Sequence, residues 1–191
     1  MPATRPAVLL AASAAALALV SCHKSSQPTA NQAAAPAPEV PGKGVDRTHR
    51  GQAVPATGFN DPDGKPTSLK AFAGKPTLVN LWASWCAPCI KGLPTLDRLA
   101  AAKKGQLNVV TVSQDADVPH ASVVAFLKAH KVANLGSYQD PKMALSAALG
   151  PDTVLPTSIL YDASGHEVWR YVGDQDWTSA AAAKLLAEGG A

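Results

Sequence analysis

The stretch that decides the fold runs from residue 77 to residue 89 and reads TLVNLWASWCAPC. Its first half is an apolar run that predicts a buried β-strand, and its second half holds Cys86 and Cys89, two residues apart. A helix that begins at the first cysteine has unpaired N–H groups and a partial positive charge there, which stabilise a thiolate. The thiolate attacks disulfides, and a second thiol one helical turn further can resolve the adduct. The spacing therefore favours a redox pair.

Other uses of two closely spaced cysteines fit this chain less well. Structural zinc has four ligands, but the sequence has no second cysteine pair and its histidines are scattered singly. A c-type haem is disfavoured because Ile90 stands where the attachment motif has His. A purely structural disulfide or metal-binding pair is the alternative. We expect no metal ion and no cofactor at this site.

The first 22 residues predict export. Arg5 precedes an apolar stretch at residues 7–20, which is shorter than the roughly 20 residues that span a bilayer and is typical of a signal peptide. It ends in LVSC at residues 19–22, which resembles the lipobox of bacterial lipoproteins. On this interpretation residues 1–21 are removed and Cys22 is lipidated, which leaves one thiol pair. An ordinary cysteine after an uncleaved anchor is the alternative.

Residues 22–54 are predicted to form a flexible tether. They are rich in Ser, Gln, Ala and Pro and contain no Phe, Tyr or Trp, so they cannot bury enough apolar surface to order themselves. The charged cluster at residues 43–50 is mixed in sign and is expected to be solvated. The chain has 17 Lys and Arg against 14 Asp and Glu, which does not indicate nucleic-acid binding.

Residues 55–191 are long enough for one compact domain with its own core. The Asp63-Gly64 turn predicts a hairpin across residues 59–67. Further strands are predicted at residues 78–82, 107–112, 157–161 and 167–172, and helices at 86–103, 121–130, 141–149 and 179–188. This order predicts an α/β domain whose central mixed sheet is covered by helices on both faces.

The domain resembles the TlpA/ResA-type branch of the thioredoxin superfamily. The resemblance rests on GKPTLVNLWASWCAPC at residues 74–89, LPTS at 155–158, the turn at 161–165 and the Val172-Gly173 pair. It implies a thioredoxin fold with an N-terminal β-hairpin and an inserted helix. It also implies an exported thiol:disulfide oxidoreductase.

Four residues around the motif have expected roles. Cys86, exposed at the helix start, is expected to be the attacking nucleophile, and Cys89 the resolving thiol. Trp85 is expected to shield the pair and offer a flat apolar contact, with plain packing as the alternative. Pro88 fits the first helical turn, where a missing N–H does little harm.

The resemblance also marks a second segment and two departures. It implies that Pro156 is a cis-proline facing the cysteines and that the backbone of Leu155 pairs with a substrate strand. Asn80 stands where thioredoxin has Asp, and Gly92 stands where ResA-type proteins have Glu, both proposed proton shuttles. A water relay, another carboxylate such as Asp97, or slow resolution are the open alternatives. The Glu of the cytochrome-maturation subgroup is replaced by Thr157.

The resemblance implies electrons from a membrane thiol:disulfide interchange protein and substrates among exported disulfide-containing proteins, including apocytochromes or copper-site assembly factors. With a lipid on Cys22, the expected location is the periplasm, anchored to the inner or outer membrane. Ala87-Pro88 carries no charge or donor to stabilise the thiolate, which favours a reductase. A non-catalytic lipoprotein that holds a partner or copper is the alternative. A peroxidase is disfavoured because the Pro-Thr-x-x-Cys pattern is absent at Cys86.

Overall fold

The computed structural model describes residues 42–151 and 153–191. The predicted signal peptide, the predicted lipidation site Cys22 and the first part of the predicted tether lie outside the described residues. The described chain contains a short 3-10 helix, Leu69–Phe72, and four α-helices: α1 (Ala87–Ala102), α2 (His120–Ala129), α3 (Ala144–Leu149) and α4 (Ala180–Ala187). Its eight strands are β1 (Gly44–Asp46), β2 (Gly58–Asn60), β3 (Pro66–Ser68), β4 (Thr77–Trp82), β5 (Asn108–Ser113), β6 (Tyr138–Gln139), β7 (Thr157–Tyr161) and β8 (Glu167–Val172).

The eight strands form one mixed sheet in the order β1-β8-β7-β4-β5-β6-β2-β3. Strands β4, β5 and β6 are parallel, whereas the strands on either side of this group pair antiparallel. All six residues of β4 are buried, as in a strand whose two faces are both covered. The predicted α/β architecture with a covered mixed sheet and an N-terminal hairpin is confirmed.

Alternate residues of β4 face two separate core layers. Leu78 and Trp82 belong to the layer formed with α1, α2 and α4, which also contains the two cysteines. Val79 and Leu81 belong to the opposite layer, formed with the 3-10 helix and α3. Asn80 has the same parity as Leu78 and Trp82, so its side chain lies on the cysteine side of the sheet.

The N-terminal boundary of the domain differs from the sequence-based expectation. Strand β1 pairs with β8, and the N–H of Gly51 donates to the C=O of Glu167 at 2.8 Å. The guanidinium of Arg47 donates to the carboxylate of Glu188, just after α4, at 2.6 Å. Residues 44–54 are therefore part of the fold, and their assignment to a flexible tether is wrong. Composition could not show this, because an edge strand is held by backbone hydrogen bonds that almost any residue can make.

Helix α3 is shorter than predicted because the chain turns at residues 140–143. The N–H of Met143 donates to the C=O of Asp140 at 3.1 Å, and Met143 has a left-handed φ of 52°. The buried carboxylate of Asp140 accepts a hydrogen bond from the N–H of Leu145 at 2.7 Å. These bonds take the place of a first helical turn, so α3 begins at Ala144.

Candidate functional site

The two cysteines of the motif lie at the N-terminal end of α1 and are joined by a disulfide, with their Cα atoms 5.2 Å apart. Cys86 is the N-cap residue, and its C=O accepts a hydrogen bond from the N–H of Ile90 at 3.1 Å. Pro88 lies in the first turn, where a residue without an N–H removes no helical hydrogen bond. The first turn carries no acidic side chain, so nothing in it offsets the partial positive charge next to Cys86.

Burial of the pair differs from the sequence-based expectation. The exposed fraction is 6% for Cys86 and 3% for Cys89, so the expectation of an exposed Cys86 is wrong for the disulfide form. The reason is that the disulfide ties the side chain of Cys86 to Cys89, which packs in the core layer under α1. Trp85 is 69% exposed, so plain packing does not explain this residue. The exposed surface beside the disulfide is therefore aromatic.

The loop before β7 lies next to the cysteine loop. The Leu155–Pro156 peptide bond is cis, as the family resemblance implies. Thr157, the first residue of β7, pairs with Leu81 near the C-terminal end of β4. This pairing brings the loop to the same end of the sheet as the cysteines. The N–H and C=O of Leu155 have no hydrogen-bond partner among the described residues. They are available to pair with an extended segment.

The two positions that depart from the family hold neutral groups. The side-chain amide of Asn80 donates to the hydroxyl of Ser158 at 2.9 Å, across the β4–β7 pair. On the neighbouring strand β5, the residue that faces Asn80 in the strand register is Thr111. The buried hydroxyl of Thr111 has no hydrogen-bond partner within the described part of the chain. A Cβ atom added to Gly92 would meet nothing within 4 Å outside the backbone of its own helix. Gly92 is therefore not required for close packing.

The carboxylate of Asp97 binds a loop that does not carry the cysteines. Its Oδ1 accepts hydrogen bonds from the N–H groups of Ala133 and Asn134 at 2.9 and 2.6 Å. Its Oδ2 accepts a hydrogen bond from the side-chain amide of Asn134 at 2.8 Å. It also lies about 12 Å from Cys89 along the helix axis, given a rise of about 1.5 Å per residue. The alternative in which Asp97 approaches Cys89 is therefore wrong.

Asp115 is a residue that sequence reasoning missed. This carboxylate is buried at the end of β5 and accepts hydrogen bonds from the N–H of Ser84 at 3.0 Å and from its hydroxyl at 2.8 Å. It also accepts a hydrogen bond from the hydroxyl of Ser113 at 2.7 Å. A carboxylate two residues after a buried strand that neighbours the cysteine strand was the available signal, because the C-terminal ends of parallel strands meet at the same end of a sheet.

The described part of the chain offers no clear metal centre. Within residues 42–151 and 153–191, no group of three or more His, Cys, Asp or Glu side chains is placed to hold a metal ion. Among the helices of those same ranges, none has the length and apolar character needed to cross a membrane.

Comparison with known proteins agrees with this geometry. A family model described as Redoxin matches residues 49–186. The thiol-disulfide oxidoreductase ResA of Bacillus cereus is 31% identical over 126 residues, which cover 65% of this chain and 70% of that protein.

Two solved structures are also similar. A putative thiol:disulfide interchange protein DsbE from Chlorobium tepidum has a TM-score of 0.61 and 26% identity, covering 73% of this chain and 96% of its own. The pneumococcal exposed lipoprotein thioredoxin from Streptococcus pneumoniae has a TM-score of 0.60 and 27% identity, covering 69% and 98%. The predicted thioredoxin fold is confirmed.

Proposed function

Because this chain belongs to the redoxin family and is a thiol:disulfide oxidoreductase of the TlpA/ResA type, we propose that it reduces disulfide bonds in proteins outside the cytoplasm. The observation that carries the proposal is the Cys86–Cys89 disulfide at the start of α1, beside the loop that contains Pro156. The disulfide is the oxidised product of one turnover. The N–H and C=O of Leu155, which have no hydrogen-bond partner among the described residues, are suited to hold an extended substrate segment next to the disulfide.

The proposed reaction consists of two thiol–disulfide exchanges. In the reduced protein, the Cys86 thiolate attacks one sulfur of a substrate disulfide, and the other substrate sulfur leaves as a thiolate that takes up a proton. Cys89, after losing its proton, attacks the Cys86 sulfur of this mixed disulfide and releases the second substrate thiol. Two electrons pass to the substrate, and the Cys86–Cys89 disulfide forms. A membrane thiol:disulfide interchange protein then restores the dithiol by exchange in the opposite direction.

The residues between the cysteines support the direction of electron flow. Ala87 and Pro88 carry neither a charge nor a side-chain hydrogen-bond donor. A thiolate that receives less stabilisation makes the reduced form less stable and lowers the reduction potential. The pair is therefore proposed to donate electrons. Apocytochromes and copper-site assembly factors belong to the proposed class of substrates.

The proposal extends to the location of the protein. Residues 1–21 act as a lipoprotein signal, and the mature chain begins at a lipid-modified Cys22 that anchors it to the inner or outer membrane. The tether is then the segment between Cys22 and β1 rather than the whole of residues 22–54. Mass spectrometry of protein extracted from membranes should find a diacylglyceryl group on Cys22. An unmodified Cys22, or a chain that still begins at Met1, would contradict the anchor.

The reductase activity is tested by insulin reduction with dithiothreitol as electron source. The wild-type protein should accelerate precipitation of the insulin B chain, Cys86→Ser should abolish the acceleration, and Cys22→Ser should retain it as the control for a cysteine outside the pair. Equal rates for wild type and Cys86→Ser would favour the non-catalytic, partner-holding alternative. Cys89→Ser should accumulate mixed disulfides at Cys86, and the trapped proteins identify the substrates.

A further inference from the structure

Four lysine side chains lie at the end of the sheet opposite the disulfide. Lys75 comes shortly before β4, and Lys103 and Lys104 lie between α1 and β5. Lys70 belongs to the 3-10 helix that precedes β4. Because β4 and β5 are parallel and the cysteines follow the C-terminal end of β4, the starts of both strands lie at the far end. We call these four lysines the basic end.

Hydrogen bonds bring together the segments that carry these lysines. The side-chain amide of Asn108, the first residue of β5, donates to the C=O of Phe72 in the 3-10 helix at 3.2 Å. The N–H of Asn108 donates to the C=O of Pro76, just before β4, at 2.9 Å. The N–H of Leu107 donates to the C=O of Lys103 at 3.1 Å. The basic end is therefore one continuous region of the surface rather than a set of unrelated positions.

The charges of the basic end are not neutralised within the fold. None of the four lysines forms an ion pair within residues 42–151 and 153–191. The nearby carboxylate of Glu188 already contacts the guanidinium groups of Arg47 and Arg50, at 2.6 and 3.5 Å. Asp162, in the turn between β7 and β8, adds one negative charge against the four lysines. This end of the domain therefore keeps a net positive charge.

The end that carries the disulfide has an excess of acidic side chains. Strands β6 and β8 run in the same direction as β4 and β5, so the C-terminal ends of all four strands lie there. Among the residues that directly follow β5, β6 and β8, Lys142 is outnumbered by Asp115, Asp117, Asp140, Asp174 and Asp176. Asp174 is ion-paired with Lys43 and Lys91. An anionic surface therefore attracts the basic end and repels the cysteine end.

The chain between Cys22 and β1 is long enough to let either end of the domain face a membrane. Gly44, the first residue of β1, pairs with Val172, the last residue of β8, so the chain enters the fold at the cysteine end. The segment from Cys22 to Gly44 can span at most about 70 Å. A domain of this size is about 40 Å across. An anchor on Cys22 therefore leaves the orientation to be decided by the charges.

We propose that the basic end docks on the anionic phospholipid headgroups of the membrane to which the protein is anchored. Lys is a point charge on a flexible stem, which suits mobile headgroups, whereas the fixed carboxylates of a protein partner favour the planar fork of Arg. The docked domain holds the Cys86–Cys89 disulfide on the side away from the bilayer, toward soluble substrate proteins. The inference rests on the proposed lipid anchor and adds an orientation to it.

The test uses full-length protein extracted from membranes and reconstituted into vesicles. One set of vesicles consists of phosphatidylcholine, which has no net charge, and the other of an equal mixture of phosphatidylcholine and phosphatidylglycerol. Hydrogen exchange measured by mass spectrometry should be slower for residues 69–75 and 103–107 on the mixed vesicles, with an unchanged rate for residues 83–89. High salt should remove the difference, because it screens the attraction between exposed charges.

The double variant Lys70→Gln/Lys104→Gln should lose most of this protection. One Lys near an anionic membrane surface corresponds to about a fivefold change in the docking equilibrium, so the double variant should weaken docking about 25-fold. The matched control is Lys65→Gln/Lys142→Gln, which removes the same charge from the β2–β3 hairpin and from the loop after β6, and it should keep the protection. All four side chains are exposed, so the substitutions leave the core unchanged.

Flotation of the vesicles separates this inference from the proposed anchor. Protein that floats with phosphatidylcholine vesicles has an anchor, and equal exchange on both vesicle types would then overturn the docking alone. Protein that floats only with the mixed vesicles, while the double variant does not, lacks the anchor but retains the docking surface. Protein that floats with neither vesicle type has neither.

Two further results would overturn the docking proposal. The first is an equal loss of protection in the Lys65→Gln/Lys142→Gln control, which would indicate a general effect of net charge. The second is stronger protection of residues 83–89 than of residues 69–75 and 103–107, which would mean that the cysteine end faces the bilayer. Protection of the basic end by a soluble acidic protein, with no difference between the two vesicle types, would assign this surface to a protein partner instead.

Discussion

The carboxylate of Asp115 accepts hydrogen bonds from both the N–H and the hydroxyl of Ser84, and so links the end of β5 to the loop that carries Cys86. Ser84 lies two residues before the nucleophile, and the N–H of Cys86 donates to the C=O of Ala83 within the same turn. A buried carboxylate that accepts three donors is well satisfied without a cationic partner. Asp115 is therefore a positioning residue for the cysteine loop.

Asp115→Asn should destabilise the protein and slow its first exchange step. The amide group directs N–H donors toward groups that are themselves donors, and one poorly satisfied buried group costs about 1 to 3 kcal/mol. Urea unfolding of the oxidised protein measures this loss, and the rate of glutathione disulfide reduction reports the effect on Cys86. Asp97→Asn is the control, because Asp97 on α1 also accepts three hydrogen bonds, but from Ala133 and Asn134 in a loop away from the cysteines. If Asp115→Asn loses stability while its exchange rate stays at the wild-type value, the positioning role is excluded.

Gly92→Glu should accelerate resolution of the mixed disulfide near neutral pH. It supplies a carboxylate three residues after Cys89, on the same face of α1, and the site has room for a Cβ atom. Replacing glycine inside the helix should also raise the free energy of unfolding by roughly 0.5 to 1 kcal/mol. Gly92→Gln provides the same helix stabilisation without the carboxylate. Stopped-flow kinetics should show a faster second step in the Glu variant and an unchanged first step in both. A second step that is equally fast in both variants would show that proton transfer does not limit resolution.

The two thiols should differ in reactivity in the reduced protein. Cys86 caps α1 and experiences the partial positive charge of the helix end, whereas Cys89 lies inside the first turn and packs in the core. Below neutral pH, Cys86 in the Cys89→Ser variant should therefore be alkylated faster by iodoacetamide than Cys89 in Cys86→Ser. Mass spectrometry at timed intervals measures both rates. Faster alkylation of Cys89 would reverse the proposed roles.

Mild acid should loosen the segment that follows β1. The hydrogen bond from Arg47 holds the pKa of Glu188 below its usual value. A carboxyl group with a depressed pKa contributes stability above its unfolded pKa of about 4.3, and this contribution is lost as the pH falls through the folded pKa. Both side chains are partly exposed, so solvent screening keeps this contribution small. The hydrogen-exchange rate of residues 44–51, divided by the intrinsic exchange rate at the same pH, should therefore rise as the pH falls below about 4.

Glu188→Gln should remove this acid-dependent step and show faster exchange of residues 44–51 already at neutral pH. Asp63→Asn alters an exposed acidic residue of the β2–β3 hairpin and should keep the wild-type pH dependence. If Glu188→Gln also keeps it, the Arg47–Glu188 contact does not secure the segment.

Local patterns in the sequence were sufficient to predict the redox pair and most of the fold. The apolar run before Cys86, the two-residue spacing to Cys89 and the turn at Asp63-Gly64 each depend on neighbours within a few positions, so the chain itself encodes them. The same holds for the order of strands and helices. The cis bond at Pro156 followed only from the resemblance to a family, since most bonds before proline are trans.

Only the tertiary structure decided which distant residues meet. Asp115 and Ser84 are brought together by the parallel register of β4 and β5, and Arg47 reaches Glu188 because β1 adds to the far edge of the sheet. The loops after β4 and β5 and the loop before β7 likewise come from separate parts of the chain and meet only at one end of the sheet. Such contacts depend on strand order and register, which no local periodicity records, so the sequence alone predicted the chemistry but not the surroundings that position it.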